Sequence, residues 1–463
     1  YEKELFSKAN VDIDVQIVPV SEYDTKVNTI IASGNIPDVL WGQGPTDKKF
    51  REMQEQGAFL DLVPYLEKYP EVKKLAPDAL WEQLKDKEGH IFFLPNSGNP
   101  FHPMMNFYRK DWFDEIGIKE PTTTQELEQA LEKVKEAKKD VVPLTGQDML
   151  WGLGSLATSF GFVQYGWQPD AKDPGKLVPH YMTEGARKFQ FWLKDLRKKG
   201  LLDPEFLVNK DWAFAKSKFI AGKAAVLGIN WGYAGEVLAS VKKTDPNAVV
   251  GILPPLTGPD GAKGGVRLLG LYDRGIYVSS KMKNPDDFFA FLNWTFTEGT
   301  DFRRYGVEGK TYKLEGEKKI GIPNDDREAD YKDSQIEPYK FVDRLSEKLD
   351  WEKIRNDFEG QGLADQFDMY KAKFEEYAAT VYPDYRSPLV VSPTEVEKGT
   401  QIYNDYLMKM IEGGAVLDDK VTEQTWNDAV IRWLGAGGEQ IIKEVNELQT
   451  DKSKPNVSLD ILK

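Results

Sequence analysis

Short apolar runs alternate with helical patterns along the first part of the chain. The apolar–polar alternation of Val11–Val18 predicts a strand, residues 23–33 predict a helix, and Val39–Trp41 predicts a second strand. This βαβ order favours a largely parallel sheet covered by helices, so the predicted fold class is α/β. Ligands of such sheets bind at the carboxyl ends of strands, which makes the residues that directly follow a strand the first functional candidates.

Similar patterns continue along the chain. Helices are predicted over residues 126–139, 184–199 and 286–296, and strands over Ala224–Gly228 and Gly275–Ser279. At 463 residues the chain exceeds what one hydrophobic core usually organises, so two lobes are expected. Because no low-complexity linker separates two lobes, the chain is expected to cross between them more than once.

Charge and composition exclude several classes of function. The formal net charge of -14, from 75 acidic and 61 basic residues, argues against a nucleic acid partner, which would require a basic surface. The absence of cysteine removes disulfides and thiolate chemistry; it suits an exported protein and is also acceptable in the cytosol. No apolar run reaches the roughly 18 residues that span a bilayer, and we expect a signal peptide and an anchor upstream of Tyr1.

The sequence has no recognisable catalytic or nucleotide-binding motif. Its three histidines, His90, His102 and His180, are too scattered for a metal-binding helix or a triad. A carboxylate pair of a glycan-active enzyme would leave no spacing rule, so that class stays open. The acidic segments Asn324–Asp326 and Asp418–Asp419 lack the ligand spacing of an EF-hand. We therefore expect no cofactor, with bound calcium as the less favoured alternative.

Several segments in order carry a family resemblance. Residues 31–39 read Ile-Ala-Ser-Gly-Asn-Ile-Pro-Asp-Val, a helix end, a turn and the start of a strand. The others are Gly57–Leu62, Gly89–Pro95, Asn106–Phe113, Gly200–Phe206, Phe219–Ala225, Gly275–Pro285 and, in the tail, Ile411–Gly414. Together they resemble the extracellular solute-binding family 1, in particular its long lipoprotein branch associated with polysaccharide-use ABC importers.

The resemblance implies a fold and a domain division. The fold is the two-lobed periplasmic-binding-protein-like fold of the type II class, with central sheets around a hinged cleft. With crossings near residues 107, 279 and 385, the N-terminal lobe comprises 1–107 plus 280–385, and the C-terminal lobe comprises 108–279 plus 386–463.

The resemblance also implies a function. The chain would be the non-enzymatic substrate-binding component of an ABC importer, a monomer that captures an oligosaccharide and delivers it to the transmembrane subunits of the permease. It would lie at the extracellular face of the membrane, through a lipid anchor outside this chain, or in the periplasm. The alternatives are a glycan-active enzyme and a receptor for a peptide or a polyamine. An acidic sugar would be favoured if Arg109, Arg267 and Arg274 converge.

Saccharide binders combine stacked aromatic rings with amides, carboxylates and arginines, and turn-located residues of these types are the site candidates. Trp231, with Asn230 beside it, is the strongest prediction, and Trp41 with Gln43 follows a strand in the same way. The further candidates are Tyr272, Arg274, Asn96, Asn99, His102, Arg109, Trp151 and Trp167. The alternative for each ring is a place in the core, for each asparagine a turn, and for each arginine a salt bridge.

Overall fold

The computed structural model of the chain divides into two compact units. Unit 1 comprises Tyr1–Pro100 and Leu271–Ala364, and unit 2 comprises Phe101–Gly270 and Asp365–Lys463. The structure describes residues 1–19, 22–45, 47–96, 103–146, 152–163, 166–206, 212–268, 272, 274–345, 349–387, 390–398, 416, 418–450 and 452.

The strands of the described residues are short. They are β1 Val39–Gln43, β2 Leu94–Pro95, β3 Met104–Arg109, β4 Val142–Gly146, β5 Trp167–Pro169, β6 Leu177–Pro179, β7 Ala224–Asn230, β8 Val250–Ile252, β9 Val266–Arg267, β10 Arg274–Val278, β11 Tyr312–Glu315, β12 Lys318–Gly321 and β13 Val381–Tyr382.

Helices make up most of the remaining structure. They are α1 Glu2–Ala9, α2 Tyr23–Ser33, α3 Lys48–Glu55, α4 Val63–Lys68, α5 Pro70–Lys73, α6 Asp78–Leu84, α7 Lys110–Ile116, α8 Thr124–Ala137, α9 Gly154–Thr158, α10 Glu184–Lys198, α11 Trp212–Ile220, α12 Ala234–Thr244, α13 Pro285–Thr295, α14 Thr300–Tyr305, α15 Asp333–Ile336, α16 Trp351–Gly360, α17 Phe367–Ala378, α18 Pro393–Lys398, α19 Glu423–Trp433 and α20 Glu439–Leu448. None of those in the described ranges combines the length and apolarity needed to cross a membrane.

The central sheet of unit 1 has the strand order β1-β10-β2. β10 runs antiparallel to both neighbours, with Val39 opposite Val278 and Ile276 opposite Leu94. The middle strand therefore comes from a segment far along the chain. Unit 1 also contains the antiparallel hairpin β11-β12.

The central sheet of unit 2 has the order β4-β7-β3-β8. β4 and β7 are parallel, whereas β3 is antiparallel to β7 and to β8. Of the described pairs, only β4-β7 and β9-β13 are parallel. The expectation of a largely parallel sheet is therefore wrong, because strands distant in sequence insert between local neighbours.

Each unit has its own hydrophobic core. Fully buried Phe93, Tyr277 and Phe289 belong to that of unit 1, and Phe189 and Trp433 belong to that of unit 2. The strand β7 is buried along its whole length up to Ile229, as its continuous apolar run predicts. Its end is consequently the point at which the chain leaves the core.

Most local predictions are confirmed. α8 begins after Thr123, whose hydroxyl accepts from the Glu126 N–H at 3.1 Å, while the Glu126 carboxylate accepts from the Thr123 N–H at 3.2 Å. The helix predicted over 184–199 is α10, capped by Thr183. The strand predicted over Val11–Val18 is wrong: these residues form no ladder with any described strand, although their exposure alternates.

Strand pairing places the predicted lobe boundaries differently. β3 pairs with β7 and β8, so residues 104–107 belong with unit 2, and β10 pairs with β1 and β2, so residues 274–278 belong with unit 1. β13 pairs with β9 of unit 2. The three passages between units consequently occur earlier in the chain than residues 107, 279 and 385.

Candidate functional site

One end of the unit 1 sheet gathers polar side chains from three strands. Gln43 at the end of β1 lies opposite Arg274 at the start of β10, and the Asn96 N–H donates to the Arg274 carbonyl at 2.7 Å, which continues the β10-β2 ladder. Gln43 and Arg274 are exposed and Asn96 is partly exposed. Directly opposed residues of antiparallel strands share a face, so these three side chains form one row, which we call the polar row.

Trp41 lies on the same face as the polar row, two residues before Gln43. It is opposite Ile276, and its ring is partly buried. The Tyr23 hydroxyl donates to the Trp41 carbonyl, and the Trp41 indole N–H is buried without an acceptor among the described residues. The strand and its hydrogen bonds thus fix Trp41 beside the polar row.

Tyr272 is positioned by a close approach to backbone. A Cβ on Gly44 would lie 2.2 Å from a ring carbon of Tyr272, so only glycine leaves room for this ring. Phe93 meets the same ring edge-on at 5.2 Å and 64°. Tyr272 therefore supports the loop after β1.

The electrostatics of this sheet end combine one buried and one partly buried phenol with an exposed cation. Burial raises the pKa of Tyr23 to about 12, while the nearby positive charge of Arg274 acts in the opposite direction. Tyr277 donates to the Gln43 carbonyl at 2.9 Å, and burial raises its pKa. Both phenols stay neutral donors at ordinary pH. Arg274 is the one basic residue of the polar row.

In unit 2, Trp231 directly follows β7. Its N–H donates to the Pro103 carbonyl at 3.1 Å, and its ring is partly exposed. Phe374 contacts that ring edge-on at 5.2 Å, and Tyr370 stacks at 6.4 Å and 18°. The Tyr370 hydroxyl also donates to the Trp231 carbonyl at 3.3 Å. We call Trp231, Tyr370 and Phe374 the aromatic cluster.

Sequence reasoning missed two members of the aromatic cluster. Tyr370 and Phe374 are buried on α17 at positions i and i+4, a spacing that places them on one helix face. The i, i+4 spacing was the available signal, but it does not show which other ring this helix face contacts.

Asn230 adopts the turn role that was the alternative to ligand contact, because its side-chain oxygen accepts from the Gly232 N–H at 2.9 Å.

The structure uses Arg109 and Trp167 for packing, and we remove both from the candidate set. Arg109 is 3% exposed, and its guanidinium donates to Asp111 at 2.9 and 2.5 Å and to Asp245 at 2.9 Å while lying 4.2 Å from the Trp112 ring centre. Trp167 is buried, with the Arg386 guanidinium 5.3 Å from its ring centre. Both side chains are buried within unit 2.

Three other candidates cannot be assigned a place. Asn99, His102 and Trp151 lie outside the residues that the structure describes. Arg267, at β9 in unit 2, lies close enough to the buried His180 for its charge to lower the pKa of that ring. Arg109 and Arg267 belong to unit 2, whereas Arg274 belongs to unit 1.

Cations of the chain contact both acidic segments, mostly through backbone carbonyls. The Lys332 ammonium donates to the carbonyls of Asn324 and Asp325 at 2.7 and 2.6 Å. Arg197 pairs with Asp419, and Lys194 donates to the Asp418 carbonyl at 2.8 Å. In the described part of the chain no group of three or more His, Asp or Glu side chains is placed to hold a metal ion. We therefore derive no role for calcium.

The sequence profile of one family, bacterial extracellular solute-binding protein, matches residues 1–301, which is more than half of the chain. The chain belongs to this family. Among curated relatives of this solute-binding protein are the polygalacturonan/rhamnogalacturonan-binding protein YtcQ of Bacillus subtilis, 23% identical over 96% of this chain and 87% of the relative, and lipoprotein LipO of the same organism, 22% identical over 94% and 86%.

Solved structures show the same fold. The alginate-binding protein AlgQ2, crystallised without calcium, superposes on this solute-binding protein with a TM-score of 0.72 at 20% identity, covering 97% of this chain and 94% of that one. The Streptococcus pneumoniae protein FusA in complex with kestose superposes with a TM-score of 0.69 at 18% identity, covering 96% and 94%. The predicted fold class, that of two-lobed α/β solute-binding proteins, is confirmed.

Proposed function

We propose that the chain captures an oligosaccharide outside the cell and delivers it to the transmembrane subunits of an ABC permease. The observation that carries the proposal is the aromatic cluster, in which a partly exposed Trp231 ring ends a buried strand and is held from behind by two buried rings. A rigid, partly exposed indole offers a surface for the weakly polar C–H face of a sugar ring.

The polar row supplies the complementary chemistry. Its amides and guanidinium match the hydroxyls at the rim of a sugar, and Trp41 lies beside them on the same face of the sheet. We propose ligand contact for Trp231, Trp41, Gln43, Arg274 and Asn96. Tyr272 and Asn230 position these residues through their contacts with Gly44 and Gly232.

The relatives support the class of ligand. YtcQ is named for binding polygalacturonan and rhamnogalacturonan, AlgQ2 for binding alginate, and FusA was crystallised with kestose. Because these ligands differ from one another, the relatives support a saccharide rather than one particular sugar. LipO is named a lipoprotein, which supports attachment to the extracellular face of the membrane by a lipid anchor.

The proposed role requires no catalysis. Binding followed by release to a permease leaves the sugar chemically unchanged, and a monomer suffices for it. We accordingly assign no catalytic residue and no cofactor.

Calorimetry with pectic, xylan-type, fructan and glycosaminoglycan oligosaccharides tests the proposal. We expect at least one to bind with micromolar or tighter affinity, and Trp231→Ala to weaken that binding. Mass spectrometry of ligand that co-purifies with the native protein would identify the sugar independently. Binding of a polyamine or a peptide, with no affinity for any saccharide in the panel, would overturn the proposal.

Recovering the bound sugar after prolonged incubation separates a receptor from an enzyme. A receptor returns the sugar intact. Shortened products that persist when the protein is purified to homogeneity would instead establish a glycan-active enzyme.

A further inference from the structure

We infer that Tyr370 and Phe374 are positioning residues, which hold the Trp231 indole in one orientation before a ligand arrives. The inference rests on the proposed function, since it says what prepares the ring of the same site. Its basis is that helix α17 contacts both the ring and the backbone of Trp231 and is itself fixed farther along its length. The affinity for a saccharide should therefore depend on α17 as well as on the indole.

Helix α17 carries a row of buried aromatic side chains along one face. Phe367, Tyr370, Phe374 and Tyr377 follow one another at spacings of three, four and three residues, and all are buried. Such spacing places side chains above one another on the same side of a helix. The two middle rings of this row are the ones that contact Trp231.

The last ring of the row is tied to the central sheet of unit 2. The Tyr377 hydroxyl donates to the Leu253 carbonyl at 3.1 Å, and the Leu253 N–H donates to the Asn106 carbonyl at 2.9 Å. Asn106 lies in β3 opposite Gly228 of β7, the strand that ends directly before Trp231. The helix and the strand that precedes the indole are therefore both fixed to β3, which closes a ring of contacts around the aromatic cluster.

The contacts on Trp231 restrict its side chain and its backbone. Tyr370 lies nearly parallel to the indole, with ring centres 6.4 Å apart and 18° between the planes, and Phe374 meets it edge-on at 5.2 Å and 63°. Contacts from two directions oppose rotation of the indole about its side-chain bonds. The Trp231 carbonyl accepts from the Tyr370 hydroxyl at 3.3 Å, and the Trp231 N–H donates to the Pro103 carbonyl at 3.1 Å, so the backbone on both sides is also held.

An indole that is already ordered binds a sugar more tightly than a mobile one. Ordering a side chain on binding costs free energy, and a ring held in its bound orientation avoids that cost. The effect falls mainly on the dissociation rate, since the association rate changes little among variants of one binding surface. Loss of either supporting ring should therefore weaken binding although the stacking surface of Trp231 remains.

Fluorine NMR of the chain labelled with 5-fluorotryptophan tests the order of the ring without a ligand. The chain has 12 tryptophans, and the Trp231 resonance is the one that disappears in Trp231→Phe. We expect one narrow Trp231 resonance in the wild-type chain and a shifted, broadened one in Tyr370→Leu and in Phe374→Leu. Tyr370→Phe keeps the stacked ring and should restore most of the narrow signal.

Calorimetry with the pectic, xylan-type, fructan and glycosaminoglycan panel measures the consequence for binding. For each oligosaccharide that the wild-type chain binds, Tyr370→Leu and Phe374→Leu should weaken the affinity about three- to tenfold, and Tyr370→Phe less than about threefold. Addition of that oligosaccharide should narrow the broadened Trp231 resonance of both leucine variants, because the ligand then supplies the missing restraint.

Phe367→Leu is the matched control, since it makes the same change at a buried position of α17 outside the aromatic cluster. It should lower the melting temperature about as much as Phe374→Leu and leave the Trp231 resonance and the affinity unchanged. A wild-type resonance or a wild-type affinity in both leucine variants of the cluster, or the same changes in Phe367→Leu, would overturn the inference. Failure of every oligosaccharide to bind the wild-type chain would overturn the proposed function, and the ligand-free resonance would still decide whether α17 positions the ring.

Discussion

The two units place an arginine and a tryptophan together in opposite ways. In unit 2, Arg109 ends β3, stacks on Trp112 and is buried between Asp111 and Asp245. In unit 1, Arg274 begins β10, lies diagonal to Trp41 and is exposed. The difference shows that arginine beside tryptophan is not itself a site. The exposure of the arginine, rather than the neighbouring tryptophan, separates the two cases.

The same contrast extends to the aromatic residues. Trp231 in unit 2 is supported by the rings of Tyr370 and Phe374. Trp41 in unit 1 lies in the β1-β10 ladder, its carbonyl accepts from the Tyr23 hydroxyl, and it borders charged and amide groups. Unit 2 therefore offers mainly a ring surface, and unit 1 mainly directional donors. Substitutions that separate stability from binding can test this division.

The largest expected effect is on stability, from Arg109→Met. Removing the guanidinium leaves two carboxylates facing each other, and because these are partly exposed we expect a loss of about 2–3 kcal/mol in the free energy of unfolding. Saccharide affinity measured at a temperature where the variant is folded should not change. Denaturant unfolding gives the first quantity and calorimetry the second.

Lys110→Met is the control, because the exposed Lys110–Asp114 pair contributes less than about 1 kcal/mol. If Arg109→Met weakened saccharide binding as strongly as Arg274→Gln, the conclusion that the buried arginine acts only on stability would be wrong.

The second effect concerns ligand affinity. Trp231→Ala should weaken saccharide binding by about 10- to 100-fold, because the C–H face of a sugar loses its stacking surface. Trp231→Phe keeps a ring between Tyr370 and the ligand and should lose less than about tenfold. Unchanged affinity in Trp231→Ala, with a melting temperature near that of the wild type, would show that the aromatic cluster is only structural.

The third effect comes from Gly44→Ala. The added Cβ collides with the Tyr272 ring and displaces the loop after β1, so we expect saccharide affinity to fall about fivefold together with about 1–3 kcal/mol of stability. Gly251→Ala is the matched control, since its Cβ would lie 2.4 Å from the Tyr108 ring in unit 2. It should destabilise similarly without altering affinity. Equal losses of affinity in both would remove Tyr272 from the supporting residues.

The smallest effect is a difference between two histidines, measured by NMR titration. His90 in unit 1 is exposed and its ring contacts the Asp61 carboxylate at 2.8 Å, which raises its pKa above 6.5. His180 in unit 2 is fully buried, and burial with the charge of Arg267 lowers its pKa to about 3. At pH 5 only His90 should be protonated, and Asp61→Asn should lower its pKa. Protonation of His180 at that pH would contradict the buried environment.

The two histidines also act on stability with opposite signs. The His90–Asp61 contact stabilises the fold below the unfolded pKa of about 6.5, and this contribution is lost as pH rises through the folded pKa. His180 behaves in the reverse way, because the unfolded chain takes up a proton below about 6.5 and the folded chain only near 3. Stability should therefore fall between these values as the solution is acidified, by roughly 2 kcal/mol at pH 5. His180→Gln should flatten that part of the stability–pH curve.

Local structure could be predicted from the sequence because it depends on residues that are close together in the chain. The Thr123 cap, the apolar run of β7 and the strand end before Trp231 each depend on residues within one helical turn or one strand. The candidates Trp41 and Trp231 came from that level, together with the family resemblance. Trp231 does follow the buried part of β7, whereas Trp41 is the middle residue of β1 rather than a residue after the strand.

Long-range pairing was not readable in the same way. Arg109 meets Asp245 across 136 residues, and Tyr370 reaches Trp231 across 139, so neither contact leaves a local pattern. Val11–Val18 shows the opposite error. Its alternating pattern predicts a strand, but these residues pair with no described strand. The polar row likewise became visible only when the register aligned Gln43, Arg274 and Asn96.

The position of β10 also has a consequence for the order in which the chain folds. Unit 2 completes its central sheet with strands drawn from residues 104–252, whereas β1 and β2 of unit 1 lack their shared partner until residues 274–278 have been made. During synthesis the edges of these two strands stay unpaired, and unpaired strand edges promote aggregation. Closing so long a loop also slows folding. Unit 1 is therefore the unit whose folding should depend most on chaperones.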